Sequence, residues 1–296
     1  MNNISFIIPA YNCEKTLKES VNSILDTNFE LGDEIVITND YSTDNTSKIL
    51  NEIKERNPEK IVIINHEKNM GGGAARNTSV KNSKNEIIFC LDSDNILIPN
   101  SIKPLKKVLL DNLEAGAAAF QNIKYFKDDV NKITHEWHYI NGKVTLKDVL
   151  CGKMNPISSG NYIFTKKSWK KAGGYPEKVG ALDAWGFGLK LLLTGSSIII
   201  LSNTGYYHRY GHISYWTRER KVTSFSEKAK SIIEPFLNKI FKDDIEYIKS
   251  SLNWFEELEN KPIRDNDGLI GKDGKVVYIS LDKKIRYIIK KIIRRK

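Results

Sequence analysis

The chain has 296 residues, of which 28% are charged and 40% hydrophobic, and it carries a formal net charge of +10. That balance suits a globular protein with a sizeable core and excludes collagen-like, low-complexity or wholly disordered chains. No apolar run approaches the roughly 20 residues that a membrane-spanning helix needs, so no transmembrane segment is expected.

In chain order, the apolar run from Ile4 to Ile8 predicts a buried strand ended by Pro9. Residues 14–28 predict a helix, with Leu17, Val21, Ile24 and Leu25 on one face. Residues 34–38 predict a second strand, 43–56 a helix and 61–65 a third strand. A helix over 72–82 and a fourth strand over 86–92 follow. Strands apolar on both faces, alternating with helices, indicate a parallel sheet covered by helices. Beyond residue 100 come a helix near 101–114, a small-residue strand at 116–120 and a mixed region to 216. Within that region lie a helix over 183–194 and a strand over 198–202. Residues 224–260 read as helical, with Trp254 and Phe255 as packing residues, and 268–281 as a hairpin. Asp265, Asp267 and Gly268 do not continue into the ligand positions of a calcium loop.

The positive charge is concentrated at one end. Residues 283–296 hold eight Lys/Arg and no acid, and without them 38 basic residues face 36 acidic ones, a net charge of +2. A general nucleic-acid footprint is therefore not indicated. Ile285, Ile288, Ile289, Ile292 and Ile293 recur at helical spacing. A basic amphipathic helix of this kind suits an anionic membrane surface, and a docked terminal helix with a solvated basic face is the alternative. The opening residues, MNNISFIIPAYN, lack a basic stretch, so no secretory leader is expected. Three cysteines (Cys13, Cys90, Cys151) without CxxC spacing argue against a disulfide framework or a structural zinc, and fit a reducing cytoplasm.

An open parallel sheet binds ligands beyond the carboxyl ends of its strands, so the polar residues there are informative. The four strand ends supply Pro9-Ala10-Tyr11-Asn12, Asn39-Asp40, a glycine run Gly71–Gly73 leading to Arg76, and Asp92-Ser93-Asp94. In an extended segment alternate side chains point the same way, so Asp92 and Asp94 face one site. Two close carboxylates repel unless a cation joins them, and oxygen ligands favour Mg²⁺ or Mn²⁺. The glycine run matches neither the dinucleotide fingerprint nor a Walker loop.

Taken together, SFIIPAYN, ITNDYSTDNT, NMGGGAARN and CLDSDN resemble family-two inverting glycosyltransferases of GT-A fold. SSGNYIFTKKSWKKAGGYPE (158–177) is similar to that family's acceptor-side segment, and LDAWGFGLKLLLTG (182–195) to the helix that opens with the catalytic acid. The resemblance spans residues 4–216 and leaves 217–296 unmatched. It implies a Rossmann-like, mostly parallel sheet flanked by helices, and the residue pattern beyond 216 adds a helical C-terminal extension. The nucleotide-sugar half would occupy 1–98 and the acceptor half 99–216. A helical and hairpin extension would fill 217–282, and the basic tail 283–296.

Residue by residue, the resemblance implies that Tyr11 and Asp40 hold the nucleotide base, with Pro9 lining the pocket. Arg76 would neighbour the base or diphosphate. Asp92 and Ser93 would contact the nucleotide sugar, and Asp94 would ligate Mn²⁺ or Mg²⁺. Asp183 would be the general base, with Glu177 in reserve, and an N-capping aspartate prefers the same position. His208 or His212, with Arg209 between them, would touch metal or diphosphate, His208 being favoured. Trp185 and Trp216 would stack on an acceptor sugar or pack in the core. His66, His135 and His138 have no supporting pattern and read as structural or exposed. Departures from the family pattern are Asn39 in place of an acid, Leu182 where Glu is common and Asn95 where Asp is common.

The activity so implied is metal-dependent, inverting transfer of a sugar from a nucleotide-sugar donor, with UDP as the expected nucleotide, to a glycan or lipid-linked acceptor. The polymer would be a cell-surface polysaccharide, made by a peripheral enzyme on the inner face of the membrane. Two rival readings remain. A nucleotidyltransferase would want a basic glycine-rich loop after the first strand, where this chain has PAYNCEKT. A non-catalytic sugar-binding module would more readily have lost Asp94 or Asp183.

Overall fold

The computed structural model describes residues 2–26, 28–112, 114–150, 156–211, 225–239, 269–270 and 276–277. The expected alternation is present at the start of the chain. It runs β1 (Ile4–Ala10), α1 (Leu17–Leu25), β2 (Glu34–Asn39), α2 (Thr46–Arg56), β3 (Ile61–Asn65), α3 (Gly72–Asn82) and β4 (Ile87–Cys90). Then come β5 (Ile96–Leu97), α4 (Ile102–Asp111), β6 (Ala115–Phe126), β7 (Ile133–His138), β8 (Gly142–Val144) and α5 (Leu146–Leu150). After these come a 3₁₀ turn (Pro156–Ser159), β9 (Tyr162–Thr165), α6 (Lys166–Ala172), α7 (Asp183–Leu193) and β10 (Ser197–Arg209). The helix α8 (Phe225–Ile233) leads into a 3₁₀ turn at Glu234–Lys239, and β11 (Leu269–Ile270) pairs antiparallel with β12 (Val276–Val277).

The main sheet has the order β3-β2-β1-β4-β9-β6-β10-β5, with β7 on β6 and β8 on β10. β1 pairs parallel with both β2 and β4, and β6 pairs parallel with β10, while β9 runs antiparallel between β4 and β6. The chain steps from β1 outward to β2 and β3, then returns across β1 to β4. With right-handed crossovers, that reversal puts α1 and α2 on one face and α3 on the other. It also opens a crevice between the ends of β1 and β4, where an open sheet binds its ligand. One core runs through both halves of the sheet, from Phe6 and Val36 to Phe89, Phe120, Phe164 and Tyr206.

Some elements differ from the sequence expectation. β1 continues through Pro9 to Ala10, because pairing with β4 stops at Ile7↔Cys90 and only β2 flanks the proline. The strand expected at 116–120 extends to Phe126, because its outer half pairs with β7 and β10 rather than with β9. The strand expected at 198–202 likewise runs to Arg209 through an irregularity between Leu201 and Gly205. The helix α8 rests on α7: Ile233 packs with Leu189 and Leu193, and a Cβ on Gly186 would lie 2.8 Å from Ile232 Cδ1. The tail at 283–296, Trp254, Phe255, Asp265, Asp267, Gly268, His212 and Trp216 lie outside the described residues. Among the described residues no helix is long and apolar enough to cross a membrane.

Candidate active site

The loops after β1 and β2 are tied to each other. Asn12 Oδ1 accepts from Thr43 N at 2.8 Å, Asn12 N donates to Ser42 Oγ at 3.1 Å, and Cys13 N donates to Thr46 Oγ1 at 2.9 Å. This braces Tyr11, which stands 40% exposed just past Pro9 at the end of β1. Asp40 lies buried beside it, and its carboxylate organises the glycine loop. Oδ1 accepts from Met70 N and Oδ2 from Gly71 N, each at 2.8 Å, and His66 Nδ1 lies 2.7 Å from Oδ1. Thr78 Oγ1 holds the other ring nitrogen of His66 at 2.9 Å. The sequence motifs assign Asp40 to the nucleotide base; in the structure its oxygens are largely taken up by the loop that shapes the pocket. His66 is thus structural, as expected, at a position that governs Asp40. Tyr41 and Met70, 54% and 43% exposed, form an apolar rim next to Asp40.

Arg76 is the centre of the site. It projects from α3, is buried, and bridges two carboxylates at 2.6 Å each: Nη1 to Asp183 Oδ2 and Nη2 to Asp92 Oδ1. Its Nε has no protein partner among the described residues, and the guanidinium lies 5.8 Å from the Tyr175 ring centroid. Burial opposes its charge, but Asp183 and Asp92 outweigh that and hold it firmly protonated. The sequence motifs place Arg76 near the base or diphosphate; the structure places it between the two acids assigned to sugar contact and proton transfer.

Glycines allow this approach. A Cβ on Gly72 would lie 2.5 Å from Asp183 Oδ2, and one on Gly73 would lie 2.3 Å from the Pro176 carbonyl. The start of α3 can therefore lie against the start of α7 only without side chains there. Asp183 is the first residue of α7, whose N-cap is Leu182, so it does not take the N-capping position that the sequence also allowed. Its Oδ1 accepts from the neighbouring Ala184 N at 2.6 Å, and its Oδ2 is paired with Arg76. Burial pushes the Asp183 carboxyl upward, opposed by Arg76. Glu177, the reserve base, accepts from Asn77 Nδ2 at 2.8 Å.

Asp92 follows β4 at the switch point. Its backbone N donates to Asn161 Oδ1 at 2.9 Å, and a Cβ on Gly160 would lie 2.3 Å from its Oδ2. Burial pushes the Asp92 carboxyl up to about 6; Arg76 pulls it back, and the negative charge of Asp94 adds to the rise. A second carboxylate in the same loop that raises the proton affinity of Asp92 suits a hard divalent cation. Among the described residues no three His, Cys, Asp or Glu side chains cluster to hold a metal. An ion held by Asp92 and Asp94 would take its remaining ligands from substrate oxygens and water. Ser93, half-buried between the two acids, has its carbonyl held by Thr16 Oγ1 at 2.9 Å.

The structure does not bring His208 into a metal cluster with Asp92 and Asp94. Its ring packs between Tyr125 and Tyr206, with centroids at 4.9 and 6.1 Å. Strand alternation is the reason: the next residue, Arg209, turns to the acidic loop. Arg209 Nε donates to the Asp94 carbonyl at 3.2 Å, its backbone N donates to Asn95 Oδ1 at 3.1 Å, and Nη2 reaches Glu19. Trp185 packs against the cluster of Leu189, Leu193 and Ile233 on the α8 side and does not line the cleft at Asp183. Asn161, Gly160 and His66 are not legible as site residues from sequence motifs. For Arg209 the signal is present, since it lies between the two histidines singled out.

A family model described as Glycosyl transferase family 2 matches residues 5–173. Poly-beta-1,6-N-acetyl-D-glucosamine synthase of Staphylococcus epidermidis is 30% identical over 172 residues, which is 57% of this chain and 41% of that protein. The synthase of Staphylococcus aureus strain COL is 28% identical over 177 residues, 59% of this chain and 42% of that protein. The chain thus spans about two fifths of the length of these relatives. Among solved structures, S. aureus TarS 1-349 in complex with UDP-GlcNAc aligns with TM-score 0.68 and 23% identity, covering 85% of this chain and 72% of that one. The mannosyltransferase PcManGT from Pyrobaculum calidifontis, in complex with GDP-Man and Mn²⁺, aligns with TM-score 0.59 and 18% identity, over 86% of this chain and 72% of that one. At these identities the likeness is one of fold, and it is the GT-A architecture anticipated from the motifs.

Proposed function

The chain belongs to glycosyl transferase family 2, and from that premise we propose that it moves a sugar from a UDP-sugar to a hydroxyl of a glycan or lipid-linked acceptor, inverting the anomeric centre. The observation that carries this reading is the single guanidinium of Arg76 joining Asp92, at the end of β4, to Asp183, at the start of α7. That bridge draws together a donor-side carboxylate and a carboxylate suited to proton transfer. The relatives whose names specify poly-N-acetylglucosamine synthesis, and the UDP-GlcNAc complex of TarS, support a nucleotide-sugar donor.

In this reading Tyr11, Tyr41 and Met70 form the apolar rim for the base, with Pro9 at its floor and Asp40 fixing the loop beneath. Asp94 and Asp92 would hold Mg²⁺ or Mn²⁺, which when bound offsets the charge that develops on the diphosphate leaving group. Asp183 accepts the proton of the attacking acceptor hydroxyl. Burial raises the proton affinity of that carboxylate, and Arg76 opposes the rise by favouring its ionised form. Asn161 and Gly160 fix Asp92 by one hydrogen bond and by a lack of bulk. Arg209 fixes the backbone of the Asp94 loop. A single displacement at the anomeric carbon inverts its configuration. The basic, amphipathic pattern of 283–296 supports a peripheral position on an anionic membrane, with the sugar polymer at the cell surface as the product class.

The test is Asp183→Asn. Transfer should fall by about 10²–10⁴-fold, while binding of UDP with Mn²⁺, read by calorimetry, persists. An Asn variant that still transfers sugar would remove Asp183 as the base, and an α-linked product from an α-linked donor would remove inversion.

A further inference from the structure

Three hydrogen bonds tie the tip of the glycine loop to Asp40. Met70 N and Gly71 N donate to its two carboxylate oxygens at 2.8 Å each, and Asn69 Nδ2 donates to its backbone carbonyl at 3.3 Å. The loop needs that hold, because it turns through Gly71 at a φ of 89° and carries Met70 exposed at the rim. The carboxylate is itself held by His66. That residue follows β3, where its backbone N donates to the Asn39 carbonyl at 3.0 Å. Its side chain is 8% exposed, and its two ring nitrogens face two different parts of the chain: Nδ1 lies 2.7 Å from Asp40 Oδ1, and Nε2 lies 2.9 Å from Thr78 Oγ1 on α3. A carboxylate only accepts, so Nδ1 carries a proton; the Thr78 hydroxyl can serve Nε2 as donor or acceptor.

We infer that His66 is a positioning residue for donor affinity: its Nδ1–H fixes the Asp40 carboxylate, and through it the Met70–Gly71 turn against which the nucleotide base packs. This rests on the glycosyltransferase reading, which puts the base at the rim of Tyr11, Tyr41 and Met70. His66 is buried behind that rim's support and acts through Asp40. Asp40 Oδ1 accepts from both His66 and Met70 N, so loss of the imidazole leaves a buried acceptor short of a donor and frees the carboxylate to turn from Met70. Thr78 fixes the ring, so Nδ1–H is already aimed at Asp40 before the donor arrives. The ordering of the loop is then met in folding and not in binding, which raises affinity without a direct contact. Thr78 lies two residues beyond Arg76 on α3, so the same ring ties the base loop to the helix that bears Arg76.

The full chain with Mn²⁺ is titrated with UDP by calorimetry, and pyrophosphate, which has no base, is read by its displacement of UDP. His66→Ala should weaken UDP about tenfold and leave pyrophosphate within about twofold of wild type. His66→Asn puts an amide N–H where Nδ1 stands and should hold UDP within about threefold of wild type, whereas His66→Gln puts its amide at the place of Nε2 and should bind like the alanine variant. Thr78→Val removes the second anchor of the ring and should weaken UDP about threefold. Melting curves within a few degrees of wild type establish that the variants fold, and if the alanine variant does not, the Asn and Gln variants decide against each other. An unchanged affinity for UDP in His66→Ala or His66→Gln overturns the inference. So does an equal loss of UDP and pyrophosphate, which would make the role one of general integrity, and so does a Gln variant that binds UDP as well as the Asn variant. A wild type that binds no UDP ends the glycosyltransferase reading and this inference with it; a wild type that binds UDP beside variants that match it ends this inference alone.

Discussion

Replacing Arg76 with Met tests the centre of the site. The guanidinium makes two ion-paired hydrogen bonds of 2.6 Å, to Asp183, whose side chain is 6% exposed, and to Asp92, 24% exposed. Removing one partner of a buried pair costs about 3–5 kcal/mol when the other charge stays behind. Here the two acids have an escape, because each can take a proton. Asp92 already sits near 6 with Arg76 pulling it down, so without Arg76 it rises further and is largely neutral at pH 7. Each unit of that rise costs about 1.4 kcal/mol relative to the unfolded chain, so the escape costs a similar few kcal/mol. For a domain of this size that lowers Tm by roughly 10 °C at pH 7.5. The sign with pH follows from the partners. The stabilisation by Arg76 requires ionised carboxylates, so it is present above about pH 6 and is lost as pH falls through the folded-state values of Asp92 and Asp183. The deficit of the variant should therefore shrink toward pH 5. Calorimetric melts of both proteins from pH 5 to 8 measure it. A Tm loss under about 2 °C at pH 7.5, or a deficit that does not shrink at pH 5, would refute the buried bridge.

Asp94→Asn should abolish the dependence of UDP binding on Mn²⁺, and calorimetry with and without EDTA reads it; unchanged metal dependence would remove Asp94 as a ligand. Because burial raises the Asp92 carboxyl to about 6, a bound cation must displace its proton at low pH, so the gain in Tm on adding Mn²⁺ should be larger at pH 7.5 than at pH 5. Gly160→Ala puts a methyl 2.3 Å from Asp92 Oδ2 at a φ of 86°, and should cost about 1–3 kcal/mol of stability while impairing donor turnover; a fully active, equally stable variant would show that Asp92 can move freely. Deleting residues 283–296 should release the protein from anionic liposomes in a flotation assay, and retained binding would assign the tail a role other than membrane attachment.

The parallel half of the sheet is legible in the amino-acid order, because burial on both faces writes an apolar run and helical spacing writes a stripe, and both are local patterns. So is the assignment of Tyr11, Asp40 and Asp92 to particular strand ends, since each follows its strand closely along the chain. The long outer halves of β6 and β10 are not legible there, because they are held by neighbouring strands rather than by their own periodicity. Which side chains meet is a property of the folded chain alone. Arg76 is 107 residues from Asp183, His66 is 26 from Asp40, and Asn161 is 69 from Asp92. No spacing along the chain encodes such a hydrogen bond; the crossing of β1 between β2 and β4, and the docking of α7 on α3, bring its partners together. The choice of Arg209 over His208 is settled in the same way: strand alternation sends neighbouring side chains to opposite faces, and the position of β5 beside β10 fixes which one reaches the acidic loop.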